Sequence, residues 1–347
     1  MTTALISTAT PARAELTELL REVEVGLADH LALEAARRAD PDPRGALPVL
    51  DIASLAHAGG KRLRPLFCLT GFLAAGGGPG PAVVPAAMAV ELLHIGALIH
   101  DDVMDDSDLR RGSLTVHARH ALEHKKNGWR GESRRYGEAL AILAGDLAWT
   151  YADGLMAGFG ADVAREWHEM RVELCGGQAL DVVAAAEFAA DPVLARHIAV
   201  VKSGRYTIQR PLTLGALIAG RTDLAPAFAV YGEALGEAFQ LRDDLIDAFG
   251  SSVATGKPAG LDFQQHKMTL LISLAMRYDA EVCALVEQGA FDELRYHLVT
   301  SGALGTVEDH IADLVRTART AVGEAPISDE WRDELCALAA RVAYRDR

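Results

Sequence analysis

Residues 91–112 read ELLHIGALIHDDVMDDSDLRRG, and this stretch decides the fold. Its first half is apolar with helical spacing. Its second half holds Asp101, Asp102, Asp105, Asp106 and Asp108, and Arg110 and Arg111 close it. On a helix Asp105 stacks over Asp101, and Asp106 over Asp102 about 100° round. Like charges so placed destabilise an isolated helix by a few tenths of a kcal/mol. A buried apolar helix ending in carboxylates therefore needs compensation. Magnesium supplies it, because it binds through one or two carboxylates plus phosphate oxygens and keeps several waters. Arg110 and Arg111 offer planar forks for the same oxygens.

A solvated helix end with local ion pairs is the competing reading, and a second motif weighs against it. Residues 240–247 read QLRDDLID, so Asp243, Asp244 and Asp247 repeat the DDxxD pattern, again at the end of an apolar helix. The helix macrodipole favours cations there, not carboxylates. Facing each other, two such helices would hold magnesium ions that clamp a diphosphate. Basic residues complete the pattern. GGKRLRP (59–65) places Lys61, Arg62 and Arg64 at a Gly-rich turn opening a helix, where backbone and helix N-terminus favour an anion. Lys202 and Ser203 lie in VKSGRY, Lys257 in TGKP and Lys267 in HKMT. His94 sits two helical turns before Asp101. For a lone histidine on an apolar helix, a satisfied core residue is the commoner reading.

Working outward, helical periodicity dominates. Helices are expected over 11–38, 49–57, 85–106, 136–158, 162–190, 192–219 and 224–249, with shorter ones to 345. Pro41, Pro43 and Pro48 break the first from the second, and 74–85 is a Gly/Pro loop. Residues 122–137 are polar and basic and are expected to form an exposed loop. No alternating strands bounded by hairpin turns are found. The expectation is an all-α fold in one domain spanning 1–347, with the motifs within about 59–270.

Composition narrows the function. The formal net charge of −14 argues against a nucleic-acid partner. It leaves room for a small cationic pocket that takes an anionic substrate. The 4 cysteines form no CxxC pair, so neither a disulfide framework nor a zinc site is expected. The N-terminus lacks a basic region ahead of an apolar stretch, so no signal peptide is expected. No apolar run reaches the roughly 18 residues of a membrane span. A cytoplasmic protein follows as an expectation.

The blocks GGKRLRP, ELLHIGALIHDDVMDDSDLRRG, GGQALD, VKSGRY, FQLRDDLID and GKPAG…HKMT together resemble the trans-isoprenyl diphosphate synthases of the polyprenyl synthetase family. The resemblance implies an isoprenoid synthase type I helical bundle around a deep central cavity. It implies three magnesium ions per site and a homodimer. Asp101 and Asp105 resemble the first set of magnesium ligands, with Asp102 in support; Asp243, Asp244 and Asp247 resemble the second. Arg110 resembles the arginine on the allylic diphosphate. Lys61, Arg64, His94 and Arg111 resemble the isopentenyl diphosphate site. Lys202, Ser203, Gln240, Lys257 and Lys267 resemble further allylic contacts. Serine stands at 203 where the family more often has threonine, which keeps the hydroxyl.

The implied reaction ionises the allylic diphosphate, adds isopentenyl diphosphate head-to-tail, and loses a proton to the departing pyrophosphate. No side chain in the motifs is an obvious general base. The growing tail runs beside the helix of the first motif. One turn up stand Gly96 and Ala97, neither bulky, so the tail is expected to pass toward Leu93 and Val90. A twenty-carbon product, geranylgeranyl diphosphate, is the expectation; a farnesyl or longer product is the alternative. A class I terpene cyclase would carry an Asn/Ser/Glu-type second motif and lack GGKRLRP. A non-catalytic partner subunit should have lost aspartates or arginines.

Overall fold

A computed structural model describes residues 11–78, 80–110, 112–250, 263 and 267–345. The fold is all-α. Among the described residues the strands are one antiparallel pair, β1 (Leu109–Arg110) and β2 (Ser113–Leu114). The chain divides into two compact units, Met1–Leu69 with Pro79–Gly160, and Thr70–Gly78 with Ala161–Arg347.

The first unit holds α1 (Pro11–Arg38), α2 (Leu47–His57), the start of α3 (Leu63–Ala74), α4 (Val84–Met104), the β-pair, α5 (Val116–Lys126) and α6 (Ser133–Met156). Helix α4 is its apolar spine. By length and composition alone it could cross a membrane, contrary to expectation, but 67% of its apolar window is buried inside the protein. Helices α4 and α6 cross closely because glycine faces each side of the contact. A Cβ on Gly96 would stand 2.4 Å from the Trp149 indole, and one on Gly145 would stand 2.2 Å from the His100 ring.

The expected loop over 122–137 is mostly helix. Helix α5 runs to Lys126 and α6 starts at Ser133, leaving a short connection. The polar reading failed because, after Val116, the buried stripe of α5 is carried by His117, His120 and His124 at helical spacing. His124 packs against Trp129 and Tyr136. His120 Nε2 lies 2.8 Å from Oδ2 of buried Asp51, which also pairs with Arg119.

In the second unit, α7 (Ala161–Glu187) precedes the span expected as one helix over 192–219. That span is continuous but changes pitch: α8 (Pro192–Ile198), a π-helical segment (Ala199–Gln209), then α9 (Arg210–Ile218). The Arg210 N–H bonds to Arg205 O, five residues back. Pro211, in the first turn of α9, lacks an N–H to continue the ladder. Helix α10 (Ala225–Phe249) crosses the π segment where Gly204 meets Gly236; a Cβ on Gly236 would stand 2.4 Å from Gly204 Cα. Among the described residues five helices follow: α11 (Leu270–Tyr278), α12 (Glu281–Gln288), α13 (Phe291–Thr300), α14 (Ala303–Gly323) and α15 (Asp329–Ala343).

Candidate active site

The first acidic motif ends α4, and the chain turns sharply there. Asp105 N–H still bonds to Asp101 O at 2.9 Å, and Ser107 N–H to Asp102 O at 2.9 Å. Asp106 takes a left-handed conformation with φ 49°. It is therefore exposed and off the helix, not stacked over Asp102 as ideal helical spacing had it. The turn feeds the β-pair, which brings Arg110 back onto α4. Arg110 Nε lies 2.8 and 3.0 Å from the two oxygens of Asp102, and Nη2 lies 2.7 Å from Oδ1. The Asp102 side chain is 3% exposed. Burial pushes its carboxyl above the ordinary value despite the pull of Arg110, and the charge of Asp101 adds to the push.

Asp101 and Asp105 remain one turn apart, both half-buried, with Arg110 Nη2 3.8 Å from Asp101 Oδ2. These donors are carboxylate oxygens, the ligand type magnesium takes. They fit a hard divalent cation at partly solvated positions, while Asp102 is committed to Arg110.

The basic turn divides its labour. Arg62, with φ 48°, is buried and places Nη1 2.5 Å from Glu91 Oε1 of α4 and Nη2 2.5 Å from Ala56 O. It is an anchor. Lys61 is exposed, and Arg64 and His94 are half-buried. Arg111 lies outside the described residues.

The second motif stays inside α10 to its last turn. Asp244 is buried and accepts from Gln240 Nε2 at 2.7 Å. Asp247 is half-buried. Asp243 pairs with Arg345, whose guanidinium lies 4.1 Å from the centre of the Phe239 ring. These are again carboxylate donors suited to magnesium. Lys202, on the π segment, places Nζ 2.5 Å from Asp181 Oδ2 of α7. Ser203 and Lys267 are half-buried, and Lys257 lies outside the described residues. Asp181 belongs to GGQALD, a block matched in sequence without a role for any of its residues. Its signal was there in the aspartate four places after Gly177, on one helical face.

The chain-length residues need one correction. Gly96 and His100 share the face of α4 turned to α6: His100 Nε2 lies 3.1 Å from Ile142 O, and Trp149 Nε1 donates to Leu93 O at 3.0 Å. Gly96 therefore meets an indole and offers no open floor. Ala97 stands one turn before Asp101 on the face of the motif itself and is half-buried. Leu93 and Val90 are buried.

The polyprenyl synthetase family model matches residues 51–292. The crystal structure of a geranylgeranyl pyrophosphate synthase from Corynebacterium glutamicum, complexed with isoprenyl diphosphate and magnesium, matches with TM-score 0.88 at 34% identity. The match covers 96% of this chain and 99% of that one. The geranylfarnesyl diphosphate synthase of Aeropyrum pernix is 30% identical over 306 residues, 82% of this chain and 89% of that one. A short chain isoprenyl diphosphate synthase of Methanothermobacter thermautotrophicus is 34% identical over 235 residues. There the match takes 65% of this chain and spans 66% of the relative's length. Names among further relatives run from farnesyl to nonaprenyl diphosphate synthase.

Proposed function

The chain belongs to the polyprenyl synthetase family, and on that premise we propose that it joins isopentenyl diphosphate head-to-tail to an allylic diphosphate, giving an all-trans prenyl diphosphate. The observation that carries the reading is the end of α4. Asp101 and Asp105 stand one turn apart with Arg110 folded back beside them.

When bound, magnesium would act as a Lewis acid that neutralises the allylic diphosphate as leaving group. Asp101 and Asp105 would hold it in the first unit, and Asp243, Asp244 and Asp247 in the second. Arg110 and Lys202 would fix the allylic diphosphate; Lys61, Arg64 and His94 would fix that of isopentenyl diphosphate. The allylic C–O bond breaks, and its electron pair leaves with pyrophosphate. The double bond of isopentenyl diphosphate forms the new C–C bond, and a proton passes to the departing pyrophosphate. Positioning and preorganised charge supply most of the rate. The apolar side of α4 keeps water from the cation.

For the product we infer twenty carbons, geranylgeranyl diphosphate. Ala97, small and on the motif's own face, supports a tail that passes it toward Leu93 and Val90. The likeness to the Corynebacterium glutamicum geranylgeranyl pyrophosphate synthase supports the same length. A homodimer belongs to the same proposal, supported by exposed Ile142 and Leu143 on α6; sedimentation velocity tests it.

The test is product analysis. Purified protein is incubated with magnesium, isopentenyl diphosphate and, in turn, five-, ten- and fifteen-carbon allylic diphosphates. A dominant twenty-carbon diphosphate is expected, lost on chelation. A fifteen-carbon or much longer product would overturn the chain length alone. No elongation by folded protein would overturn the activity.

A further inference from the structure

The GGQALD block of α7 is the one matched motif whose residues the reaction has not used. Its geometry converges on a single residue, Lys202. Gly177 lies against the main chain of the π segment: a Cβ there would stand 2.6 Å from Lys202 N, 2.8 Å from its Cα and 3.1 Å from its Cβ. Any side chain at 177 would push Lys202 away. Four residues later, on the same face of α7, Asp181 places Oδ2 2.5 Å from Lys202 Nζ. One helical face thus touches both ends of the lysine, backbone through Gly177 and ammonium through Asp181.

The opposite flank is fixed as tightly. Gly204 packs on Gly236 of α10, with no room for a Cβ between them. Arg205 ties the segment to both neighbours, with Nη1 2.7 Å from Glu173 of α7 and Nη2 2.9 Å from Glu233 of α10. The Lys202–Asp181 pair itself is partly exposed, with side chains 20% and 17% accessible. Arg205 already anchors this segment to α7 and α10, so the pair is not its sole tether. Holding a π-helical turn in place for its own sake would not need it. A π segment inside an α-helix frequently marks a functional position, and here it carries Lys202.

We propose that Gly177 and Asp181 form a two-point clamp that positions the Lys202 ammonium for the diphosphate of the allylic substrate. Asp181 is a positioning residue acting through Lys202. The clamp deepens the functional reading above and rests on it for the identity of the ligand.

The test is a double-mutant cycle on Asp181 and Lys202, read in two ways. The first readout is steady-state elongation by Asp181→Ala, Asp181→Asn, Lys202→Ala and the double variant. The second is calorimetric binding of inorganic pyrophosphate in the presence of magnesium, with melting temperature as a control. Asp181→Ala is expected to lower kcat about tenfold or more, as misplacement of a contact group does. KM for isopentenyl diphosphate should stay unchanged and pyrophosphate binding should weaken. Asp181→Asn keeps an acceptor oxygen and should recover most of the loss. In the Lys202→Ala background, removing Asp181 should cost nothing further.

Additive losses in the cycle would overturn the clamp, as would equal defects in the Asn and Ala variants accompanied by a lowered melting temperature. Unchanged pyrophosphate binding by Asp181→Ala would overturn it too. If the wild-type protein elongates no primer, the functional reading fails, and the pyrophosphate cycle still decides whether Asp181 works through Lys202.

Discussion

The guanidinium of Arg110 clasps the carboxylate of Asp102 with Nε shared between its two oxygens, 2.8 and 3.0 Å away, eight residues along the chain and across the turn that ends α4. The first acidic motif is therefore not four equivalent carboxylates. One is paired with Arg110, one leaves the helix, and Asp101 and Asp105 stand half-buried one turn apart. Removing the guanidinium with Arg110→Met leaves Asp102 buried and unpaired. Loss of one partner of a buried pair costs about 3–5 kcal/mol. Arg110→Met/Asp102→Asn should regain much of that loss. Urea unfolding measures both. A single variant as stable as wild type would show that Arg110 serves substrate alone.

The basic turn makes a second, contrasting prediction. Arg62 and Glu91 are 7% and 5% exposed and held 2.5 Å apart, whereas neighbouring Lys61 is exposed. Arg62→Met should destabilise by about 3–5 kcal/mol. Lys61→Ala should shift stability by no more than about 0.5 kcal/mol, yet raise KM for isopentenyl diphosphate. Thermal melts beside steady-state kinetics separate the two. Equal melting temperatures for the two variants would contradict the division.

Composition could not have made that division, and this marks where the sequence stops being legible. Helices α4 and α10 were readable because aliphatic stripes define their buried faces, and the two DDxxD motifs stand at their ends. The same rule missed α5, whose buried stripe beyond Val116 is His117, His120 and His124, residues that count as polar wherever they point. Ideal helical spacing carried Asp106 onto α4, because the left-handed turn at Asp106 is set by the hairpin that returns Arg110. Asp181 has no role legible in the sequence, since its partner Lys202 is 21 positions away and they meet only once α7 packs on the π segment.

Chain length offers a third prediction, on adjacent residues of one helix. Ala97 shares the face of Asp101, while Gly96 faces Trp149 and Gly145 on α6, with 2.4 Å and 2.9 Å available to a Cβ. Ala97→Phe should shorten the product to fifteen carbons with the fold intact. Gly96→Phe should act first on stability, costing about 1–3 kcal/mol or more by overpacking. Chromatography of the products and a melting curve for each variant decide it. A well-folded Gly96→Phe protein that shortens the product, beside an unaltered Ala97→Phe spectrum, would reverse the assignment of faces.

The last prediction concerns pH. Glu237 of α10 is buried, with Oε1 2.6 Å from Arg196 Nε of α8 and 2.8 Å from His310 Nε2 of α14. Burial works against its charged form, but His310 and Arg196 outweigh that, and the carboxyl sits below its ordinary value of 4.5. The unfolded chain therefore binds this proton more readily than the folded protein. The stabilisation is present above the unfolded value and is lost as pH falls through the lower folded one. Glu237→Gln keeps one acceptor oxygen and should cost about 1.5–3 kcal/mol at pH 7, the range for hydrogen bonds to charged groups. Both proteins lose stability in acid through their other carboxylates, so the informative quantity is the difference between them. That difference should shrink as pH falls below the ordinary carboxylate value. Parallel urea titrations at neutral and acid pH measure it, and a constant gap would mean that Glu237 is not a source of the acid sensitivity.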